Sequence, residues 1–428
     1  MLVYSASQLL TLTGGPQRGD ELGRLSILPE GAVLIRGEKI AAVGTTEELR
    51  ARYPNEPAFD ASGCVVLPGL VDAHTHLVWA GDRADEFEAR LRGRTYLEAL
   101  EGGGGILSTV RRTRLATDGE LLEGSRKRAA VMFRHGTTTA EAKTGYGLST
   151  AEELRLANLV LALDRQLPLD LVPTFLPAHA IPPEFQGKAE AYVTLVVEEM
   201  LPAAANLFAP LISAGEAPFV DIFCDEGAFD LAQTERILRA AKALGFRLKV
   251  HADEFAPLGA VPLAVSLGAT SVDHLTVTPP DEIRLLGQSD TAAVFLPATP
   301  FGLGEAHYPA AQDFLAANAL IALGSDLNPG TAWCGNMQMV LAIACRALGL
   351  TPAQAIAAAT INAAAALGKD QRVGSIEPGK QADMIVLSAS DYRHLGYRFG
   401  GNLVRAVIKR GLLYTLTPDE SWPAAQSV

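Results

Sequence analysis

The hydrophobic pattern divides the chain into a long central region and two shorter ends. Between residues 67 and 367, short apolar runs alternate with amphipathic stretches of helical period. Such alternation is typical of parallel strands joined by crossover helices. Eight runs fit strands, at residues 70–76, 137–143, 170–176, 219–225, 247–251, 271–275, 291–296 and 320–325.

Eight strands over about three hundred residues fit a (β/α)8 TIM barrel with insertions, which places the chain in the α/β class. An open doubly wound sheet is the alternative, but no glycine-rich phosphate-binding turn follows the first strand. We therefore predict that residues 67–367 form a (β/α)8 barrel. The four consecutive glycines at 102–105 fit either a flexible loop near an active site or a plain connector.

Both ends of the chain carry short apolar runs separated by turns, which is a β pattern. Residues 2–4, 32–36 and 40–43 fit strands near the N-terminus, and Met384–Leu387 and Val404–Lys409 fit strands near the C-terminus. Neither end has enough residues to bury a core alone. We expect residues 1–66 and 368–428 to combine into one small composite β-sandwich domain.

The overall charge narrows the choice of partners. The 36 basic and 48 acidic residues leave a net charge of −12, which argues against nucleic acid or an anionic membrane as the main partner. There is no run of eighteen apolar residues and no signal-like start, and the alanine-rich stretch 352–367 fits a buried helix. The 4 cysteines show no metal-type spacing and fit reduced thiols. These features indicate a cytoplasmic protein that acts on a small molecule.

Two histidines, His74 and His76, come at the end of the first predicted strand. Residues two apart in a strand point to the same side, so both imidazoles can face one metal ion. Such pairs also arise by chance. This one lies at the carboxyl end of a strand, where barrel enzymes carry their catalytic groups, and that position favours a functional interpretation.

Other polar residues fall at the same ends of predicted strands: His179 after strand three, His251 after strand five, His274 after strand six and Asp326 after strand eight. A structural role is the default for any one histidine, but convergence on one barrel mouth explains the set more simply. We predict that His251 and Asp326 complete a metal site with the first pair. Three imidazoles and one carboxylate suit zinc or iron, and suit calcium or magnesium poorly.

A metal ion of this kind brings a bound water close to ionisation at neutral pH. Hydrolysis then requires a general base, and Glu254, just past His251, is the best-placed carboxylate. His274 can polarise the electrophile or hold the attacking water. Which of Glu254 and His274 takes the proton stays open on the sequence alone.

These residues resemble those of the amidohydrolase superfamily, metal-dependent barrels with a composite β-sandwich, over almost the whole chain. The similarity lies in Pro68-Gly69-Leu70-Val71-Asp72-Ala73-His74-Thr75-His76, in Glu377-Pro378-Gly379-Lys380-Gln381-Ala382-Asp383, and in His251, His274 and Asp326. Many members with two metals carry a bridging carboxylated lysine at the end of strand four, where this chain has no lysine. The resemblance therefore implies one metal ion, although Lys143 at the end of strand two leaves a second one open.

Within the superfamily, the chain is most similar to the imidazolonepropionase family. The similarity lies in Trp79-Ala80-Gly81-Asp82-Arg83, Glu141-Ala142-Lys143-Thr144-Gly145-Tyr146-Gly147-Leu148, Thr174-Phe175-Leu176-Pro177-Ala178-His179 and Ser325-Asp326-Leu327-Asn328-Pro329-Gly330-Thr331. The resemblance implies a homodimer that opens the ring of 4-imidazolone-5-propanoate by hydrolysis to N-formimidoyl-L-glutamate. It also implies substrate contacts at Arg83, Tyr146, His179, Glu254 and Thr331, with Asn328 and Gly330 at the carboxylate groups of the product.

The residue types agree with that implication. A propionate tail needs a cation, and Arg83 offers a bidentate fork, although a lone arginine more often forms a surface salt bridge. One alternative is an aminohydrolase that deaminates a purine, pyrimidine or related ring with the same metal. The other is a metal-free binding or scaffold relative, which the complete ligand set argues against. Arg83 and the turn at 328–331 favour a substrate that ends in a carboxylate over a nucleobase.

Overall fold

The computed structural model describes residues 1–93, 104–416 and 425–426. Of the four consecutive glycines, Gly102 and Gly103 lie outside the described residues. Gly105 immediately precedes the helix Ile106–Leu115, and its N–H donates to the carboxylate of Glu86 at 3.1 Å. Gly105, the last of the four glycines, therefore marks the start of a helix and is held by Glu86.

The strands fall into three groups along the chain. The N-terminal segment contains β1 (Leu2–Ala6), β2 (Gln8–Leu10), β3 (Ile27–Leu28), β4 (Gly31–Arg36), β5 (Lys39–Thr45), β6 (Ala58–Asp60) and β7 (Val65–Pro68). The central region contains β8 (Leu70–Asp72), β9 (Thr137–Lys143), β10 (Asp170–Ala178), β11 (Phe219–Cys224), β12 (Arg247–Ala252), β13 (Ser271–His274), β14 (Ala292–Phe295) and β15 (Leu320–Leu323). The C-terminal segment contains β16 (Met384–Leu387), β17 (Val404–Lys409), β18 (Leu412–Thr415) and β19 (Ala425–Gln426).

Helices follow the central strands, and those within the described residues contain buried residues except Ala84–Leu91. They span Ala84–Leu91, Ile106–Leu115, Asp118–Arg134, Thr150–Gln166, Ala189–Leu195, Leu201–Ser213, Leu231–Ala243, Ala260–Leu267, Pro280–Gly287, Ala298–Leu303, Ala311–Ala316, Met337–Ala347, Pro352–Ala358 and Ile361–Ala366. Two further helices, Thr46–Arg52 and His394–Tyr397, belong to the terminal segments. Several begin at capping boxes, as where Thr117 and Glu120 each accept the other's backbone N–H.

The central strands form a parallel eight-stranded sheet in the order β8 to β15. Its two edge strands meet just beyond their last residues, where Thr75 bridges Leu327. There the His76 N–H donates to Leu327 O at 2.9 Å and the Asp326 N–H donates to His74 O at 3.0 Å. The sheet is a nearly closed (β/α)8 barrel, so the predicted fold class is confirmed. Because the closing bonds involve the candidate ligands, closure of the barrel also positions the site.

Predicted and observed strands differ mainly at their ends. The first predicted strand was too long, because β8 ends at Asp72 and the two histidines at 74 and 76 lie in the segment that follows it. The alanine-rich stretch, predicted as one helix, is two helices separated at Thr360, whose φ of −129° and ψ of −94° leave the helical region. Both helices are mostly buried, as predicted.

The chain ends form two sheets, in the orders β5-β4-β1-β6 and β19-β18-β17-β16-β7-β2-β3. Strands β16 and β7 pair antiparallel, so both chain ends contribute to one sheet. Apolar side chains that include Val33, Val66 and Ile408 form a core separate from that of the barrel. The composite β-rich domain is therefore confirmed. Its limits at 1–66 and 368–428 stay a prediction, since β7 runs to Pro68 and β8 begins at Leu70.

Among the described residues, one helical segment, Ala189–Ser213, is long and apolar enough to cross a membrane, with a mean hydropathy of 1.5. A π-helical turn, Val196–Met200, interrupts it. Tyr192, Val196 and Phe208 are buried in the barrel core. Length and composition do not distinguish a membrane span from a core helix, and the burial of this face favours a helix that packs on the barrel.

A buried ion cluster joins the small domain to the amino end of the barrel. Lys409 Nζ lies 2.7 Å from Asp170 Oδ2 and 2.6 Å from Asp383 Oδ2. Asp170 begins β10, whereas Lys409 ends β17. Gln381 Nε2 donates to both carboxylates at 2.8 Å. One lysine therefore neutralises carboxylates from both domains.

We expect Lys409→Met to lower the free energy of unfolding by about 3 kcal/mol or more, because it leaves Asp170 and Asp383 buried without their ammonium partner. Urea unfolding followed by circular dichroism measures the change. Lys127→Met is the matched control, since exposed Lys127 pairs with Glu123 at 3.3 Å on the protein surface, and it should change stability by less than about 0.5 kcal/mol. Equal small losses in both variants would contradict the proposed bridge.

Candidate active site

The candidate metal ligands converge at the carboxyl end of the barrel. The Nε2 atoms of His74 and His76 lie 3.3 Å apart, and Asp326 Oδ1 lies 3.4 Å from the first and 3.6 Å from the second. A ring nitrogen of His251 lies within 4.8 Å of nitrogens of His74 and His274. All of these side chains are buried. The structure thus brings together the four ligands that the sequence predicts.

These separations fit ligands around one small cation. Zinc–ligand distances of about 2.0–2.2 Å on a tetrahedron place neighbouring ligand atoms about 3.3–3.6 Å apart. His74 Nδ1 bonds Asp273 Oδ2 at 2.7 Å, which leaves a lone pair on Nε2 of the neutral ring. The Nε2 of His251 is buried and has no hydrogen-bond partner within the described part of the chain. Lone pairs and a carboxylate oxygen that face one another repel, and a divalent cation among them removes that repulsion.

Several histidines at the site have a lowered pKa, so their imidazoles are neutral and their ring nitrogens are available for coordination. Burial, reinforced by neighbouring positive groups, lowers the pKa of His74, His76 and His274 well below the usual value of histidine. Burial also lowers the pKa of His179 to about 3. Burial raises the pKa of Asp326 to about 6, a penalty that an adjacent cation would offset. Neutral imidazoles with one carboxylate are a ligand set for zinc or iron.

A buried charge network lies beneath the ligands. It consists of Lys143, Lys249, Glu141, Asp221 and Asp273, all fully buried. Lys143 Nζ lies 2.5 Å from Asp221 Oδ2 and 2.9 Å from Glu141 Oε2, and Lys249 Nζ lies 3.1 Å from Glu141 Oε1. Both ammonium groups also approach Asp273 Oδ2, at 3.5 and 3.7 Å.

Two members of the network orient the ligand rings. Asp273 holds His74 through Nδ1 at 2.7 Å, and Asp221 Oδ2 lies 2.9 Å from His251 Nδ1. A carboxylate on one ring nitrogen fixes the orientation of the ring and directs the other nitrogen towards a metal. Asp273 on β13 therefore holds the ring of His74, and Asp221 on β11 lies against the ring of His251.

The network also determines the charge of the site. Its three carboxylates and Asp326 face two ammonium groups, which leaves two negative charges that a divalent cation balances. Burial opposes the charge on Lys143, but the carboxylates of Asp221, Glu141 and Asp273 outweigh burial and raise its pKa. Lys143 is therefore an ammonium group. An ammonium group has no lone pair with which to coordinate a metal ion.

The candidate acid–base residues lie side by side at the rim of the cluster. Glu254 Oε2 lies 3.5 Å from His274 Nδ1, and the Glu254 side chain is only 11% exposed. Burial, with the nearby carboxylates of Asp326 and Asp225, raises the pKa of Glu254 well above its usual value. A carboxyl group shifted in this direction can both accept and return a proton nearer to neutral pH.

The predicted substrate residues surround the same mouth. The ring of His179 stacks on His76 with centroids 4.8 Å apart, and the Tyr146 centroid lies 5.4 Å from that of His179. On the opposite flank, Asn328 Nδ2 donates to Asp326 O at 2.7 Å. The Asn328 side-chain oxygen accepts the N–H groups at positions 330 and 331, at 2.7 and 2.8 Å, and shapes this turn.

Arg83 packs against this turn. A Cβ added at Gly330 would lie 2.1 Å from Arg83 Nη1, so only glycine leaves room for the guanidinium there. Arg83 Nε donates to Glu86 at 2.8 Å, and the arginine side chain is 9% exposed. Glu86 thus orients the guanidinium edge at the rim of the metal cluster. All of the residues predicted for the substrate lie around one opening.

Sequence reasoning missed the buried acceptors that hold the loops of the site. Glu153 accepts the N–H groups of Gly147 and Leu148 at 2.7 Å and that of Gly145 at 3.0 Å, on both sides of Tyr146. Asp225 likewise accepts backbone N–H groups of the loop that carries Glu254. Asp72 accepts the backbone N–H of Ser325, the residue before Asp326, at 2.8 Å. The available signal was a lone carboxylate at a strand end or in the first turn of a helix.

Comparisons with known proteins agree with this arrangement. The model of the amidohydrolase family matches residues 232–413, and that of the imidazolonepropionase-like composite domain of bacteria matches residues 31–55. The imidazolonepropionase of Herpetosiphon aurantiacus is 48% identical over 410 residues, which cover 96% of each chain. That of Chloroflexus aggregans is 49% identical over 415 residues, which cover 96% of this chain and 97% of the relative.

Solved structures show the same fold at much lower identity. A triazine hydrolase variant covers 99% of this chain and is itself covered to 95%, with a TM-score of 0.74 and 18% identity. The guanine deaminase of E. coli gives a TM-score of 0.71 at 17% identity, over 97% of this chain and 100% of that one. Atrazine chlorohydrolase of Arthrobacter aurescens, complexed with zinc, gives 0.67 at 17%, over 99% and 96%. At this identity the likeness shows the fold alone.

The closed barrel, the histidine–aspartate cluster at its mouth and the composite sheet domain define an amidohydrolase, a class in which such clusters indicate a metal ion. Within that class the chain belongs to the imidazolonepropionase family, as its identity to curated members over almost its full length shows. The resemblance found in the sequence is therefore confirmed.

We expect Asp273→Asn to weaken binding of a divalent metal by about 10–100-fold, because the amide holds the His74 ring less firmly and removes a charge from the network. Competition with a chelator, read as bound zinc, measures the affinity. Asp313→Asn, the same change at an exposed helix position, should leave the affinity unchanged. His251→Ala, which removes a candidate ligand, should lose bound metal and activity together. Unchanged affinity in Asp273→Asn would contradict the orienting role.

Proposed function

We propose that this chain hydrolyses 4-imidazolone-5-propanoate to N-formimidoyl-L-glutamate, a ring opening in histidine degradation. The observation that carries the proposal is the position of Arg83. Its guanidinium packs on the turn at 328–331, which follows the candidate ligand Asp326 directly. A cation at that distance suits a substrate with a reactive ring at the metal cluster and a carboxylate tail at the rim.

Substrate binding is divided between two sides of the mouth. Arg83 receives the propionate carboxylate through its Nη edge, since Nε is engaged by Glu86 at 2.8 Å. The N–H groups of the turn that contains Gly330 and Thr331 lie beside it and can take a second carboxylate oxygen. Tyr146 and His179 line the other side and bind the planar ring by aromatic contact.

One divalent ion, zinc or iron, held by His74, His76, His251 and Asp326, supplies a Lewis acid that activates water and polarises a carbonyl. The geometry of the ligand atoms and the balance of buried charge support a single ion. Lys143, at the end of strand two, is surrounded by carboxylates and as an ammonium group would offer no ligand to a second ion.

Glu254 is the residue that moves the proton. Its carboxylate takes a proton from the water that adds to the ring carbonyl carbon, and later delivers it to the ring nitrogen as the cyclic amide C–N bond breaks. The carbonyl carbon becomes a carboxylate and the nitrogen becomes part of the formimidoyl group. His274, 3.5 Å from Glu254, orients the same water or donates a hydrogen bond to the carbonyl oxygen.

The remaining expectations are part of the proposal. The chain acts on a small molecule in the cytoplasm, as a homodimer, and its net charge of −12 disfavours nucleic acid as a partner. Gel filtration with light scattering measures the oligomeric state, and a monomer at micromolar concentration would remove the dimer from the proposal.

Incubation with 4-imidazolone-5-propanoate and, separately, with guanine, adenine and cytosine tests the reaction directly. We expect formimidoylglutamate from the imidazolone and no ammonia from the bases. Ammonia release from a base without formimidoylglutamate would replace the proposal with a deaminase. A folded protein that purifies without metal and shows neither activity would support a binding relative.

We expect Glu254→Gln to retain metal and fold but to lower kcat by about 10²–10⁴-fold, because the amide cannot accept the proton of water. Steady-state kinetics and metal analysis of the same preparation measure both effects. Glu226→Gln is a matched control at an exposed neighbouring loop position and should keep normal kcat. Near-normal kcat in Glu254→Gln would transfer the base role to another residue.

We expect Arg83→Ala to raise KM about 10–100-fold with a smaller change in kcat, since a tail contact contributes equally to the ground state and the transition state. Arg92→Ala is the control, because Arg92 is exposed and its ion pair within the described residues is with Glu88. An unchanged KM in Arg83→Ala would refute the carboxylate contact.

A further inference from the structure

Asp225 lies immediately after strand β11 and is 2% exposed. Its Oδ2 accepts the backbone N–H groups of Glu254 at 2.8 Å and Phe255 at 3.1 Å. Its Oδ1 accepts those of Ala256 at 2.9 Å and Glu226 at 2.7 Å. One carboxylate therefore binds three consecutive N–H groups of the loop after β12, and both of its oxygens are used twice.

The loop needs such a restraint because its backbone turns sharply. Asp253, between β12 and Glu254, has a φ of 56°, in the left-handed region that non-glycine residues adopt at a cost of roughly 1–2 kcal/mol. That turn directs the side chain of Glu254 towards His274, whose own φ is 81°. Strained residues persist where surrounding bonds hold them, and they are frequent at active sites. Here the surrounding bonds come from Asp225.

We propose that Asp225 is a positioning residue that acts through Glu254, by holding the amides of the loop so that the Glu254 carboxylate faces the reacting water. This inference rests on the proton-transfer role proposed for Glu254. Asp225 itself lies behind the loop and takes no part in bond making or breaking. Its contribution is to keep the carboxylate of Glu254 in place beside His274.

The same geometry explains why the oxygen pair is needed. In Asp225→Asn, either orientation of the amide places its NH2 group against two N–H donors of the backbone, so at least two hydrogen bonds are lost and two donors oppose each other. The loop then shifts, and displacement of a catalytic group by about 1 Å can lower the rate about 100-fold.

Glu153 provides a matched comparison in the same protein. It is also fully buried and also accepts three loop N–H groups, but its loop carries Tyr146 rather than Glu254. Glu153→Gln therefore makes the same chemical change at equal burial. If Asp225 acts through Glu254, only its substitution should depend on whether Glu254 is present.

A double-mutant cycle tests this dependence. In wild-type background, Asp225→Asn should lower kcat about 10–100-fold with a smaller change in KM and with unchanged bound metal. In the Glu254→Gln background, measured at high enzyme concentration, the same substitution should lower kcat by less than about 2-fold. Glu153→Gln should act mainly on KM and should have the same effect in both backgrounds.

Each outcome bears on the proposal. An equal loss of kcat from Asp225→Asn in both backgrounds would overturn it, because a general structural defect is independent of Glu254. Thermal denaturation identifies a variant that fails to fold, and Asp225→Glu, which keeps the charge but moves the carboxylate by one methylene, then completes the cycle. If the wild-type protein forms no formimidoylglutamate, the proposed function is refuted instead. If the wild type is active but the effects of the two substitutions are additive, only the role of Asp225 is refuted.

Discussion

The burial of unbalanced negative charge at one mouth of the barrel is the constraint on which the rest of the structure depends. Burying a carboxylate away from water is strongly unfavourable unless cations and hydrogen bonds compensate it. Lys143 and Lys249 compensate part of the charge, and a cation among the candidate ligands at 74, 76, 251 and 326 would compensate the rest. Charge balance therefore links the candidate metal site to the stability of the fold as well as to the proposed chemistry.

Around this centre, function depends on loops that are held by buried acceptors. Glu153 holds the loop of Tyr146, and Asp225 holds the loop of Glu254. The side-chain oxygen of Asn328 accepts backbone N–H groups of the turn that follows Asp326. In each case an anionic or amide oxygen replaces water as the partner of backbone N–H groups, so the loop that carries the candidate site residue is held in place. Rigid positioning of this kind is what catalysis by preorganised groups requires.

The fold alone does not select the substrate. Triazine hydrolase and guanine deaminase share it with TM-scores of 0.74 and 0.71 at less than 20% identity. In this chain Arg83 and the turn at 328–331 adjoin the candidate metal cluster, and they are the residues proposed to select the substrate. Under the proposed function, specificity resides in these loops and not in the barrel strands.

The sequence by itself determined the barrel, the composite sheet domain and the positions of the candidate ligands, because periodicity and strand-end placement are local properties of the chain. Only the tertiary structure decided what lies between those positions. Asp225 accepts the backbone N–H of Glu254, which lies 29 residues later in the chain. Lys143 forms an ion pair with Asp221, which lies on another strand of the barrel. Contacts between residues so far apart in the chain depend on the register of the strands and on left-handed turns of the backbone. No local pattern in the sequence encodes the register or these turns.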